Sequence, residues 1–571
     1  MQPMNDAAVD LVVVGAGAGG MTAALVAALE GLRVVLCEST QQVGGTTATS
    51  AGTLWAPGNR HGAEAGHADS IAHAERYLEA LIGPDDPRGL RAAFLRSVAP
   101  AVDDLERRSA VAFASSGRHP DYLDLPGAAR SGRAISPRPF DGRLLGHEDF
   151  RRVRPPLPSF MVLGGMMVGK TDVQALVHRY ASWPNFAQSA RLVARHVLDR
   201  LRYPRGTRLV MGNALVARLL YSLRQARVDI RFGWRLSSLA HEEGRVVGAW
   251  FDVDGGPRQL LRARRGVVLA TGGIGHNPDL RRALGPEAMG DACLAAEGVA
   301  GDGLTAARRV GAAIEEHPGN FFWQPVSKVP ARGRRPASLF PHLYLDRAKP
   351  GLVAVDASGQ RFVNEALSYH HFVDGMLRAH AQRPALPAWL VCDAGFVARY
   401  GLGVVPPRSG PRTLRAWARR GYLVVAPTLP ELARRLGVHP QALSVTVAEA
   451  NDAARTGKDP RFGKGETAFD RFNGDASVPG NPCLGPIASA PFVALAVWPA
   501  DAASSAGLAT DEDGRALDAR GAPIAGLYAC GNDAASVMRG SYPGPGTTLG
   551  PAIAGGWRVA LHAARGSHGA A

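Results

Sequence analysis

The chain is poor in features that would brace or anchor it from outside its own core. It has five cysteines in 571 residues (Cys37, Cys293, Cys392, Cys483 and Cys530), an odd and widely spaced set. That argues against a disulfide framework and for a reducing compartment. No uncharged apolar run approaches the length of a membrane span, and the opening MQPMNDAAVD lacks the charged-then-apolar order of a signal segment. The expected location is therefore the cytoplasm. HExxH, CxxC and CxxCH patterns are missing, as is any cysteine–histidine cluster, so neither a metal site nor a haem-bearing domain is expected.

Acidic residues are the minority: 50 Asp and Glu against 65 Lys and Arg give a formal charge of +15. Such a balance suits nucleic acid, an anionic membrane surface or an acidic partner. With no zinc-finger spacing and no RNA-binding signature, nucleic acid is set aside. The scattered arginines read as solvated helix faces.

What is present is globular: 46% hydrophobic and 20% charged. The length exceeds one ordinary core, so two domains are expected. Many of the 68 glycines sit in short clusters beside apolar runs. That placement suits backbone turns that grip a ligand.

Residues Asp10 to Glu38 read as one βαβ unit. LVVVGAGAGG is a buried parallel strand entering a glycine turn, MTAALVAALEGL a helix and RVVLCE a second strand. Gly15, Gly17 and Gly20 hold GxGxxG spacing, with Gly19 beside them: a tight turn, a close approach to pyrophosphate, and helix-on-strand packing. The helix start aims its amides at phosphate, and Glu38 ends the second strand where an acid binds ribose hydroxyls.

NAD and FAD share this unit. The next stretch, with Gly44, Gly45, Thr46, Thr47 and Ser50, looks like the flavoprotein segment beside the FAD diphosphate and isoalloxazine. Two more strand-to-glycine turns suit one elongated dinucleotide. One ends at Thr271, Gly272 and Gly273; the other ends at Gly531–Asn532–Asp533 and leads through Thr547, Thr548 and Leu549 into a last helix. Amides at that helix start could stabilise negative charge on a reduced flavin.

The FAD elements come from both chain ends, so a second domain is inserted between them. The fold class expected is α/β, a Rossmann-like FAD-binding domain (1–328 and 500–571) with an inserted α+β substrate domain (329–499). The chain would leave the first near VSKVPARGRRPASLF and return near Pro499. Within Ser182 to Arg208, AQSARLVARHVLDRLRY forms a helix with Leu192, Val193, Val197, Leu198 and Leu201 on one side. Such a basic amphipathic helix lies on a membrane surface, here through 186–202 at the inner face, or docks on the protein's own core, the commoner outcome.

The segment NDAASVMRGSYPGPGTTLG resembles the closing motif of the 3-oxosteroid 1-dehydrogenases, FAD enzymes related in fold to the soluble fumarate reductase flavoproteins. The likeness extends to HPDYLDLPGAARSGRAISPRPFDG, GGMMVGKTDV and GQRFVNEALSY, and so covers most of the chain. The resemblance implies 1,2-dehydrogenation of a 3-ketosteroid. Tyr542 and the Gly546 amide would hydrogen-bond the C3 oxygen. Tyr369 would take the C2 proton with help from Tyr122, and the C1 hydride would pass to flavin N5. It leaves the electron acceptor as a quinone or a redox protein.

The chemistry also follows from residue type. Donors on a ketone oxygen stabilise the enolate formed when an alpha hydrogen leaves, and prolines 543 and 545 stiffen the loop that presents them. A tyrosine base, with a reference pKa of about 10, needs assistance. Asn364 and Glu365 read as structural or flavin-facing. A reductase of an unsaturated acid is the alternative on this fold. It needs arginine and histidine aimed at its substrate, and YPGPGTTLG offers neither, although Arg539, His370 and His371 are close in sequence. A ketosteroid dehydrogenase acting at another ring position is the nearer rival.

Overall fold

A computed structural model of the chain describes residues 9–333, 336–343 and 346–565. The opening unit is β1 (Val9–Val14), α1 (Ala18–Leu29) and β2 (Val34–Glu38). Val12, Val14, Val35 and Cys37 enter the core on one sheet face, and Leu11, Val13 and Leu36 enter the core on the other. Both faces are covered, which is why the strand sequences are continuously apolar. The sheet continues with β3 (Asp229–Phe232), β4 (Trp234–Glu242), β5 (Arg245–Val253) and β6 (Gln259–Leu269).

A second sheet is then built from β7 (Phe321–Val329), β8 (Ser338–Pro341), β9 (Leu352–Val355), β10 (Ala388–Asp393), β11 (Val424–Ala426) and β12 (Phe492–Ser504). The chain returns to the first sheet with β13 (Arg515–Leu517) and β14 (Pro523–Ala529). The first sheet has the order β3-β2-β1-β6-β5-β14-β13 with β4 on β5, and β6 also pairs directly with β14. Its centre is parallel: β1 lies between β2 and β6, and β14 follows β6. The second sheet, β8-β7-β12-β10-β9 with β11 on β12, is antiparallel. The chain thus has the mixed helix-and-sheet organisation of an FAD-binding flavoprotein.

The boundaries anticipated at 328/329 and 499/500 both fall inside strands. β7 and β12 pair with each other and belong to the second sheet for their whole length. The Pro/Arg-rich signal marks the β7–β8 hairpin and not a linker, because the apolar strand Phe321–Val329 runs straight into it.

The basic amphipathic segment forms α2 (Trp183–Arg200), but it faces the opposite way from a helix docked on the core. Its buried residues are polar: Ser189 donates to the Ala175 carbonyl (3.1 Å), and Asp199 accepts from Thr207 N and Oγ1 (2.8 Å each). Val197, Leu198 and Leu201 point outward, at 56%, 65% and 76% exposure, while Leu192 and Val193 are half-buried. Arg195 is engaged with Asp141 (2.9 Å). Two further helices position the site, α3 (Tyr369–His380) and α4 (Leu549–Arg565).

Candidate active site

An elongated cleft crosses the carboxyl ends of β1, β2 and β6. It is lined by Gly15, Gly17, Gly19 and Glu38, by Gly45, Thr46, Thr47 and Ser50, and by Thr271, Gly272, Gly531, Asn532, Thr548 and Leu549. Such a crevice at strand carboxyl ends is where dinucleotides bind in open α/β sheets.

The three motif glycines do three different things. Gly15 has φ +103, and a Cβ there would meet the Ala270 carbonyl oxygen at 2.2 Å. A Cβ on Gly20 would meet the Gly15 carbonyl oxygen at 2.0 Å. Nothing lies within 4 Å of a Cβ on Gly17, which opens onto the cleft. The gap left by Gly17, the start of α1 and the acid at the end of β2 are what a dinucleotide requires. Glu38 accepts from Ala16 N (3.0 Å) and from Thr40 N and Oγ1 (3.0 and 2.9 Å), so its carboxylate is held at the cleft's far end.

Four residues expected to touch a cofactor lie off the lining. Gly20 is spent on helix–strand packing, and Gly44 packs against Val216 and Ala48. Gly273 packs on Ser504, and the buried Thr547 donates to the Gly544 carbonyl (2.7 Å). Asp533 ties the two later turns together, accepting from Thr271 N (2.6 Å) and Gly273 N (2.8 Å); burial pushes it up to about 6. Arg154, Trp234, Gly298 and Asp302 line the cleft without having been anticipated. They arrive from separate elements and carry no shared spacing, although Gly301–Asp302–Gly303 at a helix start was a readable hint.

Three tyrosines meet at the loop that leads into the cleft-lining Thr548 and Leu549. Tyr122 is delivered by a loop whose backbone N–H donates to the Pro543 carbonyl (2.9 Å), and Tyr77 Oη donates to the same carbonyl (2.7 Å). Tyr369 is the first residue of α3, just after the N-cap Ser368. Tyr542 precedes the proline–glycine loop. The Tyr122 hydroxyl donates to Tyr369 (3.4 Å), which donates to Tyr542 (2.9 Å). The Tyr122 and Tyr542 rings are near-parallel, with centroids 5.7 Å apart, and Tyr369 stands edge-on to both.

Gly546 fixes the loop. Its φ is +93, and a Cβ would meet the Thr53 carbonyl oxygen at 2.4 Å and Trp55 N at 2.5 Å. Its carbonyl accepts from Trp55 N and Gly550 N, while among the described residues its own N–H donates to no protein atom.

The cluster carries no charge. Burial raises Tyr369 well above the ordinary phenol range, and Tyr122 and Tyr542 add to the effect. Burial lowers both His370 and His371 to about 3, so both are neutral. Arg539 is exposed and lines a second cleft with Arg378, Asp374 and Ser541. Glu365 is buried against Arg361 (2.8 Å) and Lys464 (3.3 Å), and Asn364 donates to Asp470 (2.9 Å), so both are structural. The arrangement can polarise a carbonyl and move a proton among phenols.

Residues 10–549 match the FAD binding domain family. The chain is 39% identical to 4-oxocyclohex-2-ene-1-carboxylate 5-dehydrogenase of Sinomonas cyclohexanicum, over 98% of this chain and 94% of that one. It is 35% identical to 3-oxosteroid 1-dehydrogenase of Mycolicibacterium smegmatis, over 97% and 96%. Among solved structures it superposes on 3-ketosteroid Δ1-dehydrogenase from Sterolibacterium denitrificans in complex with 1,4-androstadiene-3,17-dione. That match has a TM-score of 0.90 and 35% identity, over 98% of this chain and 99% of that one.

Proposed function

Because the chain belongs to the FAD-binding flavoprotein family that includes the 3-oxosteroid 1-dehydrogenases, we propose that it desaturates a cyclic ketone beside its carbonyl, and that the ketone is a 3-ketosteroid oxidised across C1 and C2. The observation that carries this reading is the hydroxyl-linked set Tyr122–Tyr369–Tyr542 at the loop that carries the uncommitted Gly546 amide and leads into the cleft-lining Thr548 and Leu549.

The cofactor is FAD, which supplies the hydride acceptor when bound. Gly17, Glu38, Thr46, Thr47 and the start of α4 would hold it. Tyr542 Oη and Gly546 N then donate to the C3 oxygen and stabilise the enolate. Tyr369 Oη receives the C2 proton. The groups that act on Tyr369 are the phenols of Tyr122 and Tyr542, so for Tyr369 to take the C2 proton its own proton must leave to the Tyr122 oxygen, with that hydrogen bond reversed, as Tyr122 releases its proton toward solvent. Prolines 543 and 545 and the pinned Gly546 keep the donors in place before substrate arrives.

A second reading is favoured by the 39% identity to an oxocyclohexenecarboxylate dehydrogenase: the substrate is a single-ring keto acid. Anaerobic mixing of the yellow protein with androst-4-ene-3,17-dione or with 4-oxocyclohexanecarboxylate separates them. Bleaching with formation of the 1,4-diene supports the steroid. Bleaching by the keto acid alone replaces it, and reoxidation of dye-reduced protein by fumarate in place of either would overturn both.

The reading extends to where the enzyme works. Among the described residues no helix is long and apolar enough to cross a membrane. Apart from Leu144 and Val445, however, the exposed large hydrophobics among the described residues lie between Val162 and Leu201, with Trp183 at 77%. Arg179, Arg191, Arg200 and Arg202 are exposed around them. Apolar side chains ringed by arginine fit an anionic lipid interface, from which an apolar substrate and a quinone acceptor could both be drawn. Flotation with anionic liposomes should fall when Trp183, Leu198 and Leu201 become serine. Undiminished flotation would remove the membrane from the proposal.

A further inference from the structure

Arg154 lines the cofactor cleft, and backbone pairing sets it there. Val43 N–H donates to the Arg152 carbonyl (2.7 Å), and Arg154 N–H donates to the Val43 carbonyl (3.1 Å). The buried Val43 and Val153 hold this register, just before Gly44, Gly45 and Thr46. From there Nη2 of Arg154 donates to Thr40 Oγ1 (3.2 Å), and that hydroxyl lies 2.9 Å from Glu38 Oε1. The guanidinium thus stands one hydroxyl away from the acid that ends β2. A Cβ on Gly298 would meet Ser39 Oγ at 3.0 Å and Thr40 Cγ2 at 3.1 Å, so this end of the cleft is closed around the residues after Glu38.

The charges in the cleft make this placement informative. Among the described residues that line it, Arg154 is the one Lys or Arg, against the carboxylates of Glu38 and Asp302. Both acids are committed: Glu38 accepts from Ala16 N and Thr40 N (3.0 Å each), and Asp302 pairs with Arg235 (2.9 and 3.0 Å). Arg154 is half-buried, forms no ion pair among the described residues, and has its Nε buried without an acceptor. A guanidinium in that position has given up water without gaining a counter-charge. FAD brings one, because its adenosine half carries a phosphate.

We infer that Arg154 is a cofactor-binding residue that recognises the adenosine monophosphate half of FAD, its positive charge acting beside the ribose-binding Glu38. This rests on the reading of the cleft as the FAD site, and not on which ketone is oxidised.

The test is serial dilution of the purified yellow holoenzyme, with released FAD read by its recovered fluorescence. Arg154→Met keeps the apolar stem but loses the donors and the charge, and raises the FAD dissociation constant about tenfold or more. Arg154→Lys restores the charge and recovers most of that loss, whereas a side chain that only packs is served equally by Met and Lys. AMP added to the dilution series competes for the vacated site and increases FAD release from the wild type. Its own affinity falls in Arg154→Met by about the same factor as that of FAD. Should Arg154→Met not fold, Arg154→Gln takes its place, since it too lacks the charge. A dissociation constant within about twofold of wild type overturns the inference alone. So do equal losses in the Met and Lys variants, or weaker FAD with undiminished competition by AMP. Retention of FAD by Gly17→Val would overturn the reading of the cleft and this inference with it.

Discussion

Tyr542→Phe is the sharpest perturbation, because it removes one oxygen and little else. The ring keeps its neighbours Tyr122, Tyr369, Phe322 and His370, whose centroids lie 5.3 to 5.7 Å away. The cost to folding is small: Tyr369 loses its 2.9 Å acceptor but is still reached by Tyr122. An orphaned hydroxyl in a partly enclosed site costs about 1 kcal/mol. The kinetic cost is larger, because the hydroxyl is one of two proposed donors to an oxygen that gains charge in the transition state. Removing one such donor lowers the rate about 10²- to 10³-fold, or roughly 3–4 kcal/mol.

The assay is the anaerobic half-reaction, which isolates flavin reduction from the unidentified acceptor. The limiting rate should drop by that factor while FAD content and Tm stay near wild type. A rate within about threefold of wild type would mean that the hydroxyl does not polarise the ketone, since uniform binding contributions change KM and leave kcat alone.

Tyr369→Phe removes the proton acceptor and should cost about 10²- to 10⁴-fold in the same half-reaction. Tyr122→Phe should cost less, about tenfold, because its hydroxyl acts through Tyr369 over 3.4 Å; equal losses in the two variants would reverse these roles. Gly17→Val should fold, since nothing lies within 4 Å of its Cβ. It should lose its yellow colour, checked by the FAD-to-protein absorbance ratio, because the side chain fills the cleft. Glu365→Gln should destabilise the protein by about 3 kcal/mol at pH 7, as it leaves Lys464 without a carboxylate and Arg361 with Asp459 alone. Glu365 is held down at about 2 by Arg361 and Lys464, against the burial that opposes them. A carboxylate lowered in the folded state stabilises above its unfolded pKa and loses that contribution as pH falls from about 4.5 toward 2. The variant's stability should therefore be flatter across that window in acid denaturation; an unchanged acid limb would discard the pairing.

What could be read in advance follows from how local each signal is. The opening βαβ unit is local: strand, glycine turn, helix and acid lie within thirty residues, and each type has one physical use there. The motif's spacing already gives Gly17 the close approach and Gly20 the helix packing. In the structure one faces the cleft and the other the Gly15 carbonyl. The tyrosines were legible only through their surrounding motifs, because hydroxyls 2.9 and 3.4 Å apart come from positions 122, 369 and 542.

The helix α2 gives the opposite lesson. Its periodicity correctly predicts an amphipathic helix, yet periodicity says only that two faces differ, not which one meets the protein. Here the inward face satisfies specific acceptors: Asp199 takes two hydrogen bonds from Thr207, and His196 Nε2 lies 3.1 Å from the Leu163 carbonyl oxygen. Turning the helix over would strand those buried polar partners, at about 1–3 kcal/mol each. The outward apolar face is therefore what the inward polar contacts require, and a flat apolar surface kept at that cost needs a reason outside the fold. Serine at Leu198 and Leu201 should accordingly leave the free energy of unfolding within about 1 kcal/mol of wild type while lowering liposome flotation. Loss of stability without loss of flotation would show that the face serves the fold after all.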